Sequence, residues 1–183
     1  MNTYIALLRG INVGGHNIIK MADLKICLQN EGFSDVQTYI QSGNVVLHSV
    51  ESVRDIVLDK IETALRNTFD YHNPVVLISK EELDRINIEA PSGFGEDQEN
   101  YKYEVLYLKP PLSASEVISE IPVRENVDLA WEGPGVIYYR RSSEHLTKSM
   151  LNKLTSKPIY QQMTIRNWRT TTKIYDIAKK NPS

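Results

Sequence analysis

The sequence predicts an α+β fold, a tandem duplication of two ferredoxin-like halves. Each half is a βαββαβ unit plus a further helix, with an antiparallel sheet. Three observations predict it. Strand-like and helix-like patterns follow each other in the same order twice. A stretch without periodicity, 87–102, separates the two runs, and 183 residues leave room for two small cores. The expected division is a first half over 1–88, a linker over 89–102 and a second half over 103–183.

In the first half, the apolar run around Tyr4–Leu8 predicts a strand over 3–9. Met21, Leu24, Cys27 and Leu28 then form a helical stripe that Gly32 ends. Two β-rich runs, 36–41 and 45–48, are separated by Ser42-Gly43-Asn44, a hairpin signal. Ser52 and Asp55 read as a capping pair for the strongest stripe in the chain: Val53, Ile56, Val57, Ile61, Ala64 and Leu65. Pro74 precedes a short strand, Val75–Ile78, and Ser79 with Glu82 starts one more short helix.

The second half repeats this order. A strand is expected over 103–108, and Ser113 with Glu116 caps a helix containing Val117, Ile118 and Ile121. Val127, Leu129 and Trp131 alternate as a strand does, and Gly133-Pro134-Gly135 turns the chain into a strand over 136–140. A helix near 148–154, a weak strand near 160–165 and a closing helix over 167–179 complete it.

Composition, 41% apolar and 24% charged, is that of an ordinary globular protein. The N-terminal apolar run is too short for a signal peptide and nothing is long enough to span a membrane, so a cytoplasmic location is expected. Cys27 is the only cysteine, which excludes an internal disulfide and reads as a small buried side chain. The net charge of −2 is unevenly spread: −1 over 1–80, −9 over 81–139 and +8 over 140–183. Such a distribution suits an anionic partner, or equally an attraction between the chain's own surfaces.

Three blocks are not explained by packing patterns alone. They are Arg9-Gly10-Ile11-Asn12-Val13-Gly14-Gly15, Thr38-Tyr39-Ile40-Gln41-Ser42-Gly43-Asn44 and Thr164-Ile165-Arg166-Asn167-Trp168-Arg169-Thr170. On these blocks, with Met21 after Lys20 and the pair Lys148-Ser149, the chain resembles an uncharacterised bacterial family, the domain of unknown function 1697 family. The resemblance extends over nearly the whole chain. It implies two related ferredoxin-like halves and transfers no activity.

As chemistry, the first block is a Gly-rich loop with Arg9 at its head and Lys20 beyond it. Gly10, Gly14 and Gly15 permit positive φ or a close backbone approach, and Arg9 can set a planar fork on a phosphate or carboxylate. The loop lacks the Gly-Lys-Ser/Thr ending of a Walker loop and the glycine spacing of a dinucleotide fingerprint. The competing reading is a strained connection in which Asn12 satisfies loop backbone; the loop with an anion is placed slightly ahead of it. For the second block the bland reading, plain hairpin chemistry, is placed ahead of Gln41, Ser42 and Asn44 lining a polar site. In the third, Thr164 or Asn167 can cap the last helix, and Arg166, Arg169 and Lys173 bring positive charge to an N-terminus that already favours anions. The compensating anion is a ligand or acidic side chains of the middle segment, with equal weight. Trp168 is expected in the core.

His16, His48, His72 and His145 form no ligand spacing, so no metal is expected, and no cofactor. No catalytic residue is identified, since the candidate residues offer no obvious general base. The favoured reading is a binding protein or an enzyme for a small phosphorylated or nucleotide-like molecule, expected to sit where the loop 9–15 meets the block 166–170. The alternatives are a nucleic-acid-binding module using Tyr138, Tyr139, Arg140 and Arg141, or a homo-oligomer that buries its open sheet faces. The pI of about 6.1 and the opposed faces of Tyr138 and Tyr139 weigh against nucleic acid.

Overall fold

The computed structural model describes residues 1–15 and 17–180, which leaves His16 outside. Among the described residues, eight strands and six α-helices form an α+β fold with two four-stranded antiparallel sheets. Two compact units result: Met1–Glu81 with the segment from Ile174 onward, and Glu82–Lys173.

Unit 1 contains β1 (Asn2–Leu8), α1 (Met21–Asn30), β2 (Ser34–Tyr39), β3 (Asn44–Ser49), α2 (Arg54–Phe69), β4 (Val75–Ser79) and the start of α3 (Lys80–Ile88). Its sheet order is β2-β3-β1-β4. Ala6, Leu8, Leu47 and Leu77 pack with Leu24 and Leu28 of α1 and Val57, Ile61 and Leu65 of α2 in one apolar core. The α2 stripe is narrower than its sequence pattern, because Val53 and Ile56 are exposed. Ser52 does not cap α2 either. Glu51 lies one residue earlier, and its Oε1 accepts the amides of Ser52 and Val53, both at 2.8 Å. The strand expected over 36–41 lies two residues earlier. Asp35, at φ 48°, breaks the register between Ser34 and Gln37, and the turn takes up 40–43, so Asn44 opens β3. Cys27 is buried, with Sγ 3.4 Å from Thr68 Oγ1.

Unit 2 contains β5 (Tyr101–Leu108), α4 (Ala114–Val117), β6 (Asp128–Gly133), β7 (Val136–Ser142), α5 (Leu151–Leu154), β8 (Met163–Asn167) and the first half of α6 (Trp168–Lys180). The sheet order, β6-β7-β5-β8, reproduces that of unit 1. The capping box of Ser113 and Glu116 is present, and its hydrogen bonds hold the Glu116 carboxyl below the usual carboxylate range. Both helices expected here are shorter than predicted. After α4 the chain tightens into a 3-10 turn ahead of Pro122, and α5 is one turn long. Asp128 Oδ2 takes the amide of Met150 at 2.9 Å, which starts α5 later than the sequence suggests. The strand expected over 160–165 is displaced to Met163–Asn167, because Pro158 opens a 3-10 turn over 158–162.

Strand alternation divides the unit 2 side chains between two faces. Leu106, Leu108, Ile137 and Tyr139 pack on Val117, Leu151 and Leu154. On the opposite face Tyr103, Tyr138 and Trp168 surround Phe94, with ring centroids 4.9, 5.3 and 5.2 Å away. Phe94 belongs to the stretch that showed no periodicity in the sequence. Tyr107, fully buried, donates to Thr171 Oγ1 at 2.9 Å, and burial pushes its phenol up to about 12.

Candidate functional site

In unit 1 the first two blocks are held together by one side chain. Asn12 Nδ2 donates to the carbonyls of Gln41 at 2.8 Å and Ile19 at 2.9 Å, while its Oδ1 accepts the Ile19 amide at 2.9 Å. The Asn12 amide group is thereby spent inside the fold. The loop is fixed at its root as well: the Tyr71 hydroxyl bonds both the amide and the carbonyl of Arg9 at 2.8 Å. Gly43 packs so tightly that a Cβ there would lie 2.7 Å from Leu8 Cβ and from Ile11 Cδ1, at φ +72°. Asn44 is buried and donates to the Tyr39 carbonyl and to Ser42 Oγ. Arg9 is half-buried and Ser42 partly so, whereas Gly10, Gly14, Gly15, Lys20 and Gln41 are exposed.

The third block lies in unit 2. Asn167 Oδ1 accepts the Thr170 amide at 2.7 Å and so caps α6, while Thr164 lies within β8. Arg166 turns into the fold, donating to Thr164 Oγ1 and the Ile165 carbonyl at 2.8 Å each. Arg169 is exposed, and its backbone carbonyl accepts the Thr172 hydroxyl at 3.1 Å. Trp168 is half-buried against Phe94, so it forms part of a wall.

That wall borders a cavity of about 380 Å³ lined by Asn167, Trp168 and Arg169 together with Lys102, Glu104 and Arg141. Tyr101 and Tyr103 line it as well, and the Arg140 guanidinium stacks over the Tyr101 ring at 4.0 Å. Its floor is charged. Arg141 Nε and Nη2 both donate to Glu104 Oε1, at 2.9 and 2.6 Å. Glu104 Oε2 is buried with no hydrogen-bond partner among the described residues. Burial raises the Glu104 carboxyl above the usual range, and Arg141 opposes that shift. Three cations, one carboxylate and flat aromatic walls can hold a small planar anion.

Of the twelve residues expected to bind ligand, Arg9, Gly10, Asn12, Gly14, Gly15, Lys20, Gln41, Ser42 and Asn44 lie in unit 1, and Arg166, Asn167 and Arg169 in unit 2. Two of them, Asn167 and Arg169, line the cavity. Lys102 and Glu104 were not selected from the sequence as site residues, and Arg141 was named only for the nucleic-acid alternative. A signal for Glu104 did exist: with Leu106 and Leu108 it follows a period of two, which sets a carboxylate on the core-facing side of a strand. Among the described residues, no three His, Cys, Asp or Glu side chains converge as a metal site would require, and no helix is long and apolar enough to cross a membrane.

The conserved bacterial protein SP0830 from Streptococcus pneumoniae has a similar structure. Its TM-score is 0.84 at 28% sequence identity, over 97% of this chain and 98% of that one. Curated proteins provide no match. The family model described as protein of unknown function (DUF1697) matches residues 1–138, three quarters of the chain and both motif blocks of unit 1, and the chain therefore belongs to that family.

Proposed function

We propose that this protein binds a small phosphorylated or nucleotide-like anion, and that the cavity of unit 2 is the binding site. One observation carries the reading: Lys102, Arg141 and Arg169 line one cavity with the capped N-terminus of α6. Backbone amides at a helix start and guanidinium groups both favour an anion, and neighbouring aromatic rings suit a planar group. The reading is one of binding and assigns no reaction. We read each sheet as ferredoxin-like, since its strand order matches the βαββαβ arrangement. With Cys27 its only thiol, the chain suits a reducing cytoplasm.

The glycine-rich loop of unit 1 is kept as a second anion-facing element. Its tip, Val13–Gly15, is exposed, and Arg9 and Lys20 flank it, while Asn12 and Asn44 act as structural side chains. Burial works against the nucleic-acid alternative, because Tyr138 and Tyr139 are both 0% exposed and neither ring is free to stack on a base. A homo-oligomer covering open sheet faces is disfavoured in unit 2, where Phe94, Tyr107, Tyr138 and Trp168 fill the second face.

The test is a thermal-shift screen of the full chain against phosphate, sugar phosphates, nucleotides and short RNA, with Arg169→Ala and Arg9→Ala alongside. A ligand at a hundredfold excess over its dissociation constant adds about 2.7 kcal/mol of stability. The expected result is a shift that Arg169→Ala removes. A shift removed by Arg9→Ala alone would move the site to the unit 1 loop, and no shift with any anion would end the reading.

A further inference from the structure

We infer that the phosphorylated anion of the unit 2 cavity is a side chain of an extended peptide. The peptide docks as a short strand on the open edge of β5 at Tyr101–Tyr103, with an apolar residue on each side of the phosphorylated one. The inference rests on the anion-binding reading above and supplies the carrier of the anion.

β5 is paired unequally on its two sides. Its ladder with β7 runs from Tyr101 to Tyr107, whereas its ladder with β8 begins only at Glu104, because the chain leaves β8 for α6 at Trp168. Among the described residues, no strand lies beside Tyr101–Tyr103 on the β8 side. The ends of the two ladders fix which way the backbone groups point there. Leu108 donates to the Gly135 carbonyl and Ser143 to the Asn100 carbonyl, both on the β7 side, while Lys109 donates to the Gln162 carbonyl on the β8 side. Even-numbered residues along 100–109 thus turn to β7 and odd-numbered ones to β8. The Tyr101 carbonyl and the Tyr103 amide therefore face the open side. The Tyr101 amide faces it too, but donates to the Asp97 carbonyl at 3.1 Å. An open edge of this kind is a template for an added strand.

The cavity lies on this edge, which is why both faces of the sheet line it. Lys102 pairs with Arg141, so these two cations project from one face, and Arg169 at the start of α6 lines the same space. Arg141 spends Nε and Nη2 on Glu104, which leaves Nη1 for a ligand. Tyr101 and Tyr103 alternate to the opposite face, where Tyr103 and Trp168 both pack on Phe94. A strand added to the edge offers its own side chains in the same alternation. The residue opposite Lys102 then turns to the cations, and its two neighbours turn to the aromatic rings. Three cationic groups suit a phosphate dianion, and the rings suit apolar or aromatic side chains. The open edge is three residues long, so three ligand residues match it.

The deciding experiment is calorimetric titration of the full chain with a capped tripeptide, phosphoserine between two phenylalanines, beside inorganic phosphate and AMP. Every strand pair of this sheet is antiparallel. In that pairing the amide of the second phenylalanine donates to the Tyr101 carbonyl, the carbonyl of the first accepts the Tyr103 amide, and the phosphoserine amide points away. Two analogues, each with one amide replaced by an ester, separate these positions on the native protein. The ester at the second phenylalanine is expected to bind about tenfold more weakly, the scale of one lost hydrogen bond, and the ester at phosphoserine as tightly as the parent. Arg169→Ala should weaken all three peptides alike. Equal binding of the three peptides, or a loss confined to the phosphoserine ester, overturns the inference and leaves the anion site standing. Binding of inorganic phosphate or AMP without binding of the peptide does the same. No binding of the peptide, inorganic phosphate or AMP removes the anion reading and the inference together.

Discussion

The two units carry a cleft at the same place in their sheets but line it with different chemistry. Register defines the place. In unit 1, Tyr4 pairs with Ser79 and Leu8 with Val75; in unit 2, Glu104 pairs with Asn167 and Leu108 with Met163. Tyr4 and Glu104 are therefore counterparts, as are Ser79 and Asn167, each followed directly by a helix. The unit 1 cleft, about 270 Å³, is lined by Tyr4, Ser79, Arg54 and Glu81, a set with one acid and one base. Where unit 1 has Glu81, the corresponding position of unit 2 has Arg169, and Asn2 corresponds to Lys102. Burial differs in the same sense. Among the described residues, the buried Asp, Glu and Arg side chains Glu104, Asp128 and Arg166 all lie in unit 2, and unit 1 buries His48 instead. A duplicated fold supplies the cleft twice, and local substitutions decide which copy gathers charge.

The most severe way to break the comparison is to add one carbon to each unit. Gly43→Ala places a Cβ 2.7 Å from Leu8 Cβ at φ +72°, against the backbone-anchored core of unit 1. Overpacking and a left-handed alanine together should cost about 2–4 kcal/mol in denaturant unfolding. Gly95→Ala meets the Trp168 indole instead, also at positive φ. That ring is half-buried at the cavity wall and can swing into the adjacent space, so the expected cost is smaller, about 1–3 kcal/mol. The signature should differ too: Gly95→Ala changes tryptophan fluorescence and weakens the proposed anion binding, and Gly43→Ala does neither in the fraction that folds.

How far the sequence carried the fold follows from these same elements. Strands were legible because Tyr4–Leu8 and Val105–Leu108 are apolar runs, and the order of elements repeated. Helix lengths in unit 2 were not, because Asp128 captures the Met150 amide from a distant strand, which no local pattern announces. The linkage between the first two blocks had a local clue in Asn12, but its bond to the Gln41 carbonyl is a tertiary event. The cavity was half legible. The basic third block pointed to Arg169, whereas Glu104 and Arg141 meet only when β5 pairs with β7, which sets Lys102 beside Arg141.

A milder change compares the hydroxyls that tie each sheet to its surroundings. In unit 1, Tyr4 donates to the Ser52 carbonyl at 3.0 Å; in unit 2, Tyr107 donates to Thr171 Oγ1 at 2.9 Å. Tyr4→Phe and Tyr107→Phe should each cost about 1 kcal/mol. Tyr107 should be the more damaging, since Thr171 is 0% exposed and is left without that partner, while the Ser52 carbonyl lies near the surface. Equal losses in chemical denaturation would mean that burial does not separate the two units in this respect.

The smallest effect is a slope. Burial, with Arg141 opposing, raises the Glu104 carboxyl in the folded state above its unfolded value of about 4.3. A carboxyl shifted in that direction favours folding most when protonated. Its contribution is fully present below the unfolded value and is lost as pH rises through the folded one. Glu104→Gln cannot ionise, so the stability of the native protein relative to this variant should decline as pH rises above the unfolded value of about 4.3. Tyr4→Phe at the matching position exchanges one neutral group for another over that range, and its stability difference should stay flat. A declining curve for the Glu104 pair beside a flat one for the Tyr4 pair would show that the charge at this register position, and not the cleft itself, distinguishes the second unit. Two flat curves would mean that burial and Arg141 cancel, so that Glu104 titrates alike in the folded and unfolded chain, and the two clefts would then differ in shape and sign of charge but not in how folding responds to pH.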